Sequence, residues 1–171
     1  MKALKPILFA GALCGVLDIT AACINSRIAS GATPARVLKS VAGGLLGRSA
    51  YEGGFATAAL GLMLHFTMAL TVATIFYALS RRFPVLLRHA VPVGLLYGLA
   101  VFAVNNFATA PLLSWVRSLY LHTPVVLTGP MGWSQALIHM FCVGLPISLV
   151  VRRYSRERTR LGETEFAGQR G

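Results

Sequence analysis

Asp, Glu, Lys and Arg are absent from Gly53 to Ser80, from His89 to Val116 and from Ser118 to Val151. Each of these stretches exceeds the ~20 apolar residues that a helix needs to cross a bilayer. A further stretch, Pro6 to Ile28, is interrupted only by Asp18 and Arg27. Prolines punctuate the boundaries: Pro6, Pro34, Pro84, Pro92, Pro111, Pro124 and Pro130 lie at or near segment ends, and Pro146 alone sits inside one. The pattern predicts four transmembrane helices, at about 6–28, 55–79, 91–113 and 133–151, within a domain covering 1–154. The remaining 155–171 read as a basic tail that is expected to be disordered.

Residues 29–54 are not a plain loop. Thr33-Pro34 is a good helix start, with a capping hydroxyl and a proline in the first turn. Val37, Val41 and Leu45 then recur every four residues beside Arg36, Lys39 and Ser40. The expected element is a short amphipathic helix at about 34–48, lying in the outer interface, with a re-entrant segment as the other reading. Gly43-Gly44 and Gly47 are expected to end or bend it.

Composition agrees with the pattern. Of 171 residues, 56% are apolar and 12% charged, about half the charged share of a soluble domain. That excludes a disordered chain and a disulfide-stapled secreted domain. Cys14, Cys23 and Cys142 all fall inside predicted spans, where they read as small packing residues. The first apolar run is too long for a cleaved leader and carries Asp18, so it reads as a retained signal anchor.

Sixteen Lys and Arg against five Asp and Glu give +11. The basic residues collect at span ends, so they speak of topology rather than of nucleic acid. With the N-terminus cytoplasmic, eleven basic residues fall inside, from Lys2, Lys5, Arg81, Arg82, Arg88 and the tail. Five fall outside: Arg27, Arg36, Lys39, Arg48 and Arg117. Both termini are therefore expected in the cytoplasm. The run from Arg152 to Arg160 is a juxtamembrane basic segment suited to anionic lipid headgroups.

Heptad spacing gives each predicted helix one face of small residues that includes a polar side chain. The faces read Gly11, Gly15, Asp18, Ala22 and Asn25, then Ala58, Gly61, His65 and Met68. The third and fourth read Gly94, Gly98, Val101, Asn105 and Ala108, then Gln135, His139, Cys142 and Pro146. Small residues let membrane helices approach closely, and polar ones bond across the seam. The fold class expected is an all-α integral membrane protein, a four-helix bundle with its polar groups inward. At 1.5 Å per residue, Asp18 and His65 lie ~15 Å from the outer end, Asn105 ~12 Å and His139 ~9 Å, with Asn106 beside Asn105.

An ionisable group inside a span suggests a functional site, because leaving it unpaired is expensive. Several readings stay open for Asp18, Asn25, His65, Asn105, Asn106 and His139. The first is a satisfied network that fixes helix register. Others are proton or small-solute passage through Asp18 and the histidines, haem held between His65 and His139, and a divalent metal on Asp18, His65 and His139. The cofactor expectation is none, with haem as the alternative. Pro146, which frees the Cys142 carbonyl one turn from His139, reads as a structural kink. The glycine faces would also serve to pair subunits in a homo-oligomer.

No phosphate loop, H-E-x-x-H or G-x-S-x-G motif is present, and Tyr51-Glu52-Gly53-Gly54 reads as a helix start, so no enzymatic activity is expected. The run Leu46-Gly47-Arg48-Ser49-Ala50-Tyr51-Glu52-Gly53-Gly54, followed by Gly61-Leu62-Met63-Leu64-His65-Phe66, resembles the YagU-like inner-membrane proteins. Tyr97-Gly98, the Pro111 that closes the third span, and His139 leading into Arg152-Arg153 fit the same pattern. The resemblance covers most of residues 6–155. It implies a four-helix protein of a bacterial cytoplasmic membrane and supplies no catalytic residues to carry over; the role expected of the chain is a structural or accessory one in the envelope.

Overall fold

The computed structural model describes the backbone of residues 4–122, 124–125 and 132–168, and side chains as far as Glu157. Lys2, Pro130 and the side chains of Arg158 and Arg160 lie outside the described residues. Every element among the described residues is helical. Four helices are long and apolar enough to cross a membrane: Leu4–Ser30, Phe55–Arg82, Ala90–Leu121 and Trp133–Glu157.

The first of these, α1 (Leu4–Ser30), stops at Gly31, whose φ of +70° places it in the left-handed region that favours glycine. Next comes α2 (Pro34–Leu46), which begins where the sequence places it. The Thr33 hydroxyl accepts from the Arg36 amide at 3.3 Å, and Pro34 occupies the first turn. Gly43 and Gly44 do not interrupt this helix. It ends at Gly47, with φ +66° and an amide bond to the Gly43 carbonyl. A single turn, α3 (Ser49–Glu52), leads to α4 (Phe55–Arg82), and another, α5 (Val85–Arg88), follows it.

The third long helix, α6 (Ala90–Leu121), overruns the expected end at residue 113. Pro111 does not close it. A wider π turn, Asn105–Thr109, ends two residues before the proline, and the Ala110 amide bonds to the Asn105 carbonyl. Proline lacks an amide hydrogen and its ring crowds the carbonyl one turn back. The π turn absorbs that conflict and the helix continues. The same device recurs in α7 (residues 133–168), where the π segment His139–Gly144 precedes Leu145-Pro146 and the Leu145 amide bonds to Met140. The last segment, Leu145–Gly168, carries the helix into residues expected to be disordered. No proline follows Pro146, and an Arg153–Glu157 pair at 3.2 Å supports the exposed turn at the i,i+4 spacing.

In the bundle, α1 packs against α4 on one side and α7 on the other, while α6 packs along α7. The core is built from Ala10, Cys14, Ala69, Ala73, Phe76, Val143, Ile147 and Val151. Phe76, Ile147 and Val151 are fully buried, and they fill the half of the bundle nearer the basic ends at Arg81 and Arg152. Tyr97 of α6 meets Phe76 edge-on at 5.0 Å and donates to the Val72 carbonyl at 2.6 Å, tying α6 to α4. The outer surface is apolar, with Phe9, Val16, Leu96, Phe107 and Phe141 all exposed. Large apolar side chains facing outward, with alanine and glycine between the helices, is the arrangement that lipid, rather than water, favours.

The amphipathic α2 packs across the beginning of α4 and the far end of α6. Gly61 permits this, since a Cβ there would overlap the Leu38 carbonyl oxygen. At the other end, Arg117 of α6 donates to the Gly43 carbonyl at 3.1 Å and to Gly44 at 3.4 Å, and its other terminal nitrogen reaches the Ser114 hydroxyl at 3.2 Å. The Tyr120 hydroxyl donates to the Leu45 carbonyl. A cation and a phenol thus reach carbonyls in the last turn of α2, the Gly43 carbonyl taking Arg117 as a second donor beside the Gly47 amide.

Candidate functional site

The closest approach of α1 and α4 is set by glycine. A Cβ on Gly11 would sit 3.1 Å from the Leu70 backbone, and one on Gly15 would sit 2.7 Å from the Phe66 ring. With both absent, His65 of α4 reaches the backbone of α1. Its Nε2 lies 2.9 Å from the Gly15 carbonyl oxygen, and its Nδ1 lies 3.9 Å from Asp18 Oδ2. The ring also stands edge-on to Phe66 at 5.5 Å.

Since a carbonyl only accepts, Nε2 must carry the proton that fills that bond. Nδ1 faces the carboxylate at ion-pair rather than hydrogen-bond distance. The other carboxylate oxygen, Asp18 Oδ1, is buried with no hydrogen-bond partner among the described residues. The side chains are 12% exposed for His65 and 16% for Asp18. Chemically this is a titratable pair, half satisfied, between two long helices.

The remaining polar residues are placed as follows. His139 is buried on α7, where Nδ1 lies 2.9 Å from the Gln135 carbonyl of its own helix and the ring meets Phe102 of α6 at 5.6 Å. Asn106 is buried at 3% exposure and donates to the Phe102 carbonyl at 3.0 Å, while its neighbour Asn105 is half-buried. Asn25 is half-buried farther along α1. Gly94 and Gly98 face α7, where a Cβ on Gly98 would overlap the His139 carbonyl.

The structure therefore brings Asp18 and His65 together, but it joins no third His, Cys, Asp or Glu to them in a metal-holding group among the described residues. The reading of a metal on Asp18, His65 and His139 lacks its geometry. The haem reading fares little better, because His65 already commits Nε2 to Gly15 and turns Nδ1 toward Asp18.

Two features escaped the sequence reading. Arg117 was counted only as an outer charge, although it is the sole Asp, Glu, Lys or Arg between His89 and Val151. That isolation was the available signal for its structural task. The second is the cleft beside α2, lined by Arg36, Lys39 and Tyr51, which brings together residues from two helices. Comparison with protein-family models, with curated proteins and with solved structures found no match.

Proposed function

We propose that this is a multi-pass protein of a bacterial cytoplasmic membrane, with both termini inside, acting as a structural or accessory component of the envelope. The observation that carries the reading is the His65 bond to the Gly15 carbonyl across glycine-thinned helices. It serves to fix the register of α1 on α4. The filled inner half of the bundle, around Phe76, Ile147 and Val151, supports a packing role over an open pore. The eleven-to-five bias of basic residues supports the orientation. The resemblance to YagU-like proteins supports the topology and the membrane location.

A second reading, proton passage, draws on Asp18 Oδ1, a buried acceptor that lacks a donor. One experiment separates the two. Purified protein is reconstituted into vesicles holding a pH-sensitive dye, and proton flux is followed under an imposed gradient. The structural role predicts flux no greater than in protein-free vesicles, for both the wild type and Asp18→Asn. Flux above that level, abolished by Asp18→Asn with insertion intact, selects passage.

A further inference from the structure

A cleft of about 520 Å³ opens where α1 gives way to α2, lined by residues that include Thr33, Arg36, Lys39 and Tyr51. Two cations stand at its wall, and each is held in place by Tyr51. The Arg36 guanidinium stacks over the Tyr51 ring, 5.3 Å from its centroid. Lys39 Nζ donates to the Tyr51 carbonyl at 3.4 Å.

Stacking orients a guanidinium without using its N–H groups. Among the described residues, no protein acceptor takes a hydrogen bond from the Arg36 side chain. The ammonium of Lys39 has three protons and one long bond. Among the described residues no carboxylate lines the cleft. The result is a pair of positioned cations with spare donors, one a planar fork and the other a point charge, facing a volume large enough for an anionic group. Arg27, whose guanidinium is fastened to the Gly31 carbonyl at 2.7 Å, adds positive potential nearby.

We propose that this cleft binds a phosphate-bearing anion, with Arg36 and Lys39 as its ligands and Tyr51 as the residue that positions Arg36. The phosphate has two sources, an anionic lipid headgroup or a soluble phosphate. The lipid source rests on the membrane reading above, whereas the soluble source does not. The site lies at the opposite end of the long helices from the basic tail.

The test uses the full chain in mild detergent, titrated calorimetrically with dioctanoyl phosphatidylglycerol in one arm and inorganic phosphate in the other. The expected result is saturable binding in one arm, weakened about tenfold or more by Arg36→Gln/Lys39→Gln, as loss of charge-assisted bonds requires. Tyr51→Leu is expected to weaken binding less, because it frees Arg36 without removing it. Arg153→Gln/Arg156→Gln, at the other end, is expected to leave binding unchanged. Saturation only with the lipid identifies a headgroup site, and saturation with inorganic phosphate identifies a soluble-phosphate site. Absence of saturation in both arms, or equal binding by the double variant, overturns the proposal. Should the double variant fail to fold, exposed Arg36→Gln alone serves, with the same two outcomes. Failure of membrane insertion, measured separately, would remove the lipid source without touching the phosphate result.

Discussion

His65 places its Nε2 2.9 Å from the Gly15 carbonyl oxygen, a bond between α4 and α1 made in a seam where neither helix could come closer with a larger residue at position 15. His65→Leu leaves that carbonyl without its cross-helix donor and Asp18 without its facing partner. Losing that hydrogen bond costs about 1–3 kcal/mol. His65→Gln keeps a donor near the Nε2 position and is expected to recover at least half of that loss. Unfolding in detergent, followed by circular dichroism, gives the ranking wild type, His65→Gln, His65→Leu. Equal losses in the two variants would show that shape, not the hydrogen bond, holds the seam.

Asp18 behaves differently from its partner. Its Oδ1 has no donor to lose, and neutralising a partly buried carboxylate removes a desolvation penalty. Asp18→Asn is therefore expected to change stability by less than about 1 kcal/mol, in either direction. The same unfolding measurement checks this, and a loss as large as that of His65→Leu would mean that Asp18 is fully paired in the protein.

Glycines on the facing helices separate into those that packing needs and those that it does not. A Cβ at Gly144 would overlap the Gly94 carbonyl oxygen and the Gly98 amide nitrogen, so both neighbours are backbone and neither can turn away. Gly144→Ala is expected to cost more than about 3 kcal/mol or to prevent folding. At Gly43, inside α2, the nearest atom to an added Cβ is the Ala50 methyl at 3.9 Å, an ordinary contact. Gly43→Ala is expected to stabilise by about 0.5–1 kcal/mol, through helix propensity and a less flexible unfolded chain. Parallel thermal melts of the two variants provide the contrast.

Arg117 holds the end of α2 through the Gly43 and Gly44 carbonyls. Arg117→Gln shortens the reach and removes the charge that favours a helix C-terminus. The turn after it contains Arg48, which is exposed. Limited trypsin digestion is expected to cut after Arg48 at least about threefold faster in Arg117→Gln, as local opening of α2 becomes cheaper by roughly 1 kcal/mol. Tyr120→Phe is expected to act in the same direction with a smaller effect. An unchanged rate would show that α2 is fixed by its packing on Gly61 alone.

The four long helices, the capped start of α2 and the glycine faces were legible because each depends on local chemistry: runs of apolar residues, a Thr-Pro pair, a missing Cβ. The seam positions were legible only as far as the π turns. On α6 the face read Gly94, Gly98, Val101, Asn105, and the residue buried after the turn begins is Asn106. On α7 it read His139, Cys142, Pro146, whereas the buried positions include His139, Val143 and Ile147, with Cys142 and Pro146 only half-buried. One extra residue in a turn moves every later side chain about 100° around the axis. A heptad count cannot register that insertion, although the proline just beyond each turn marks where to expect it.

Pro146 offers a direct test of that cause. Ala at this position restores an amide hydrogen that can bond to the Cys142 carbonyl, which removes the proline's objection to a regular α turn. Closing the turn would rotate His139 about 100° against Ile147 and Val151. The contact of its ring with Phe102, now 5.6 Å between centroids, would break. The imidazole of His139 in Pro146→Ala is accordingly expected to lose the ring-current shift from Phe102 in nuclear magnetic resonance spectra. Phe102→Leu in the wild-type background supplies the reference for that loss. An imidazole signal unchanged in Pro146→Ala would assign the π turn to the packing of Gly144 against Gly94 and Gly98, with the proline merely accommodated by it.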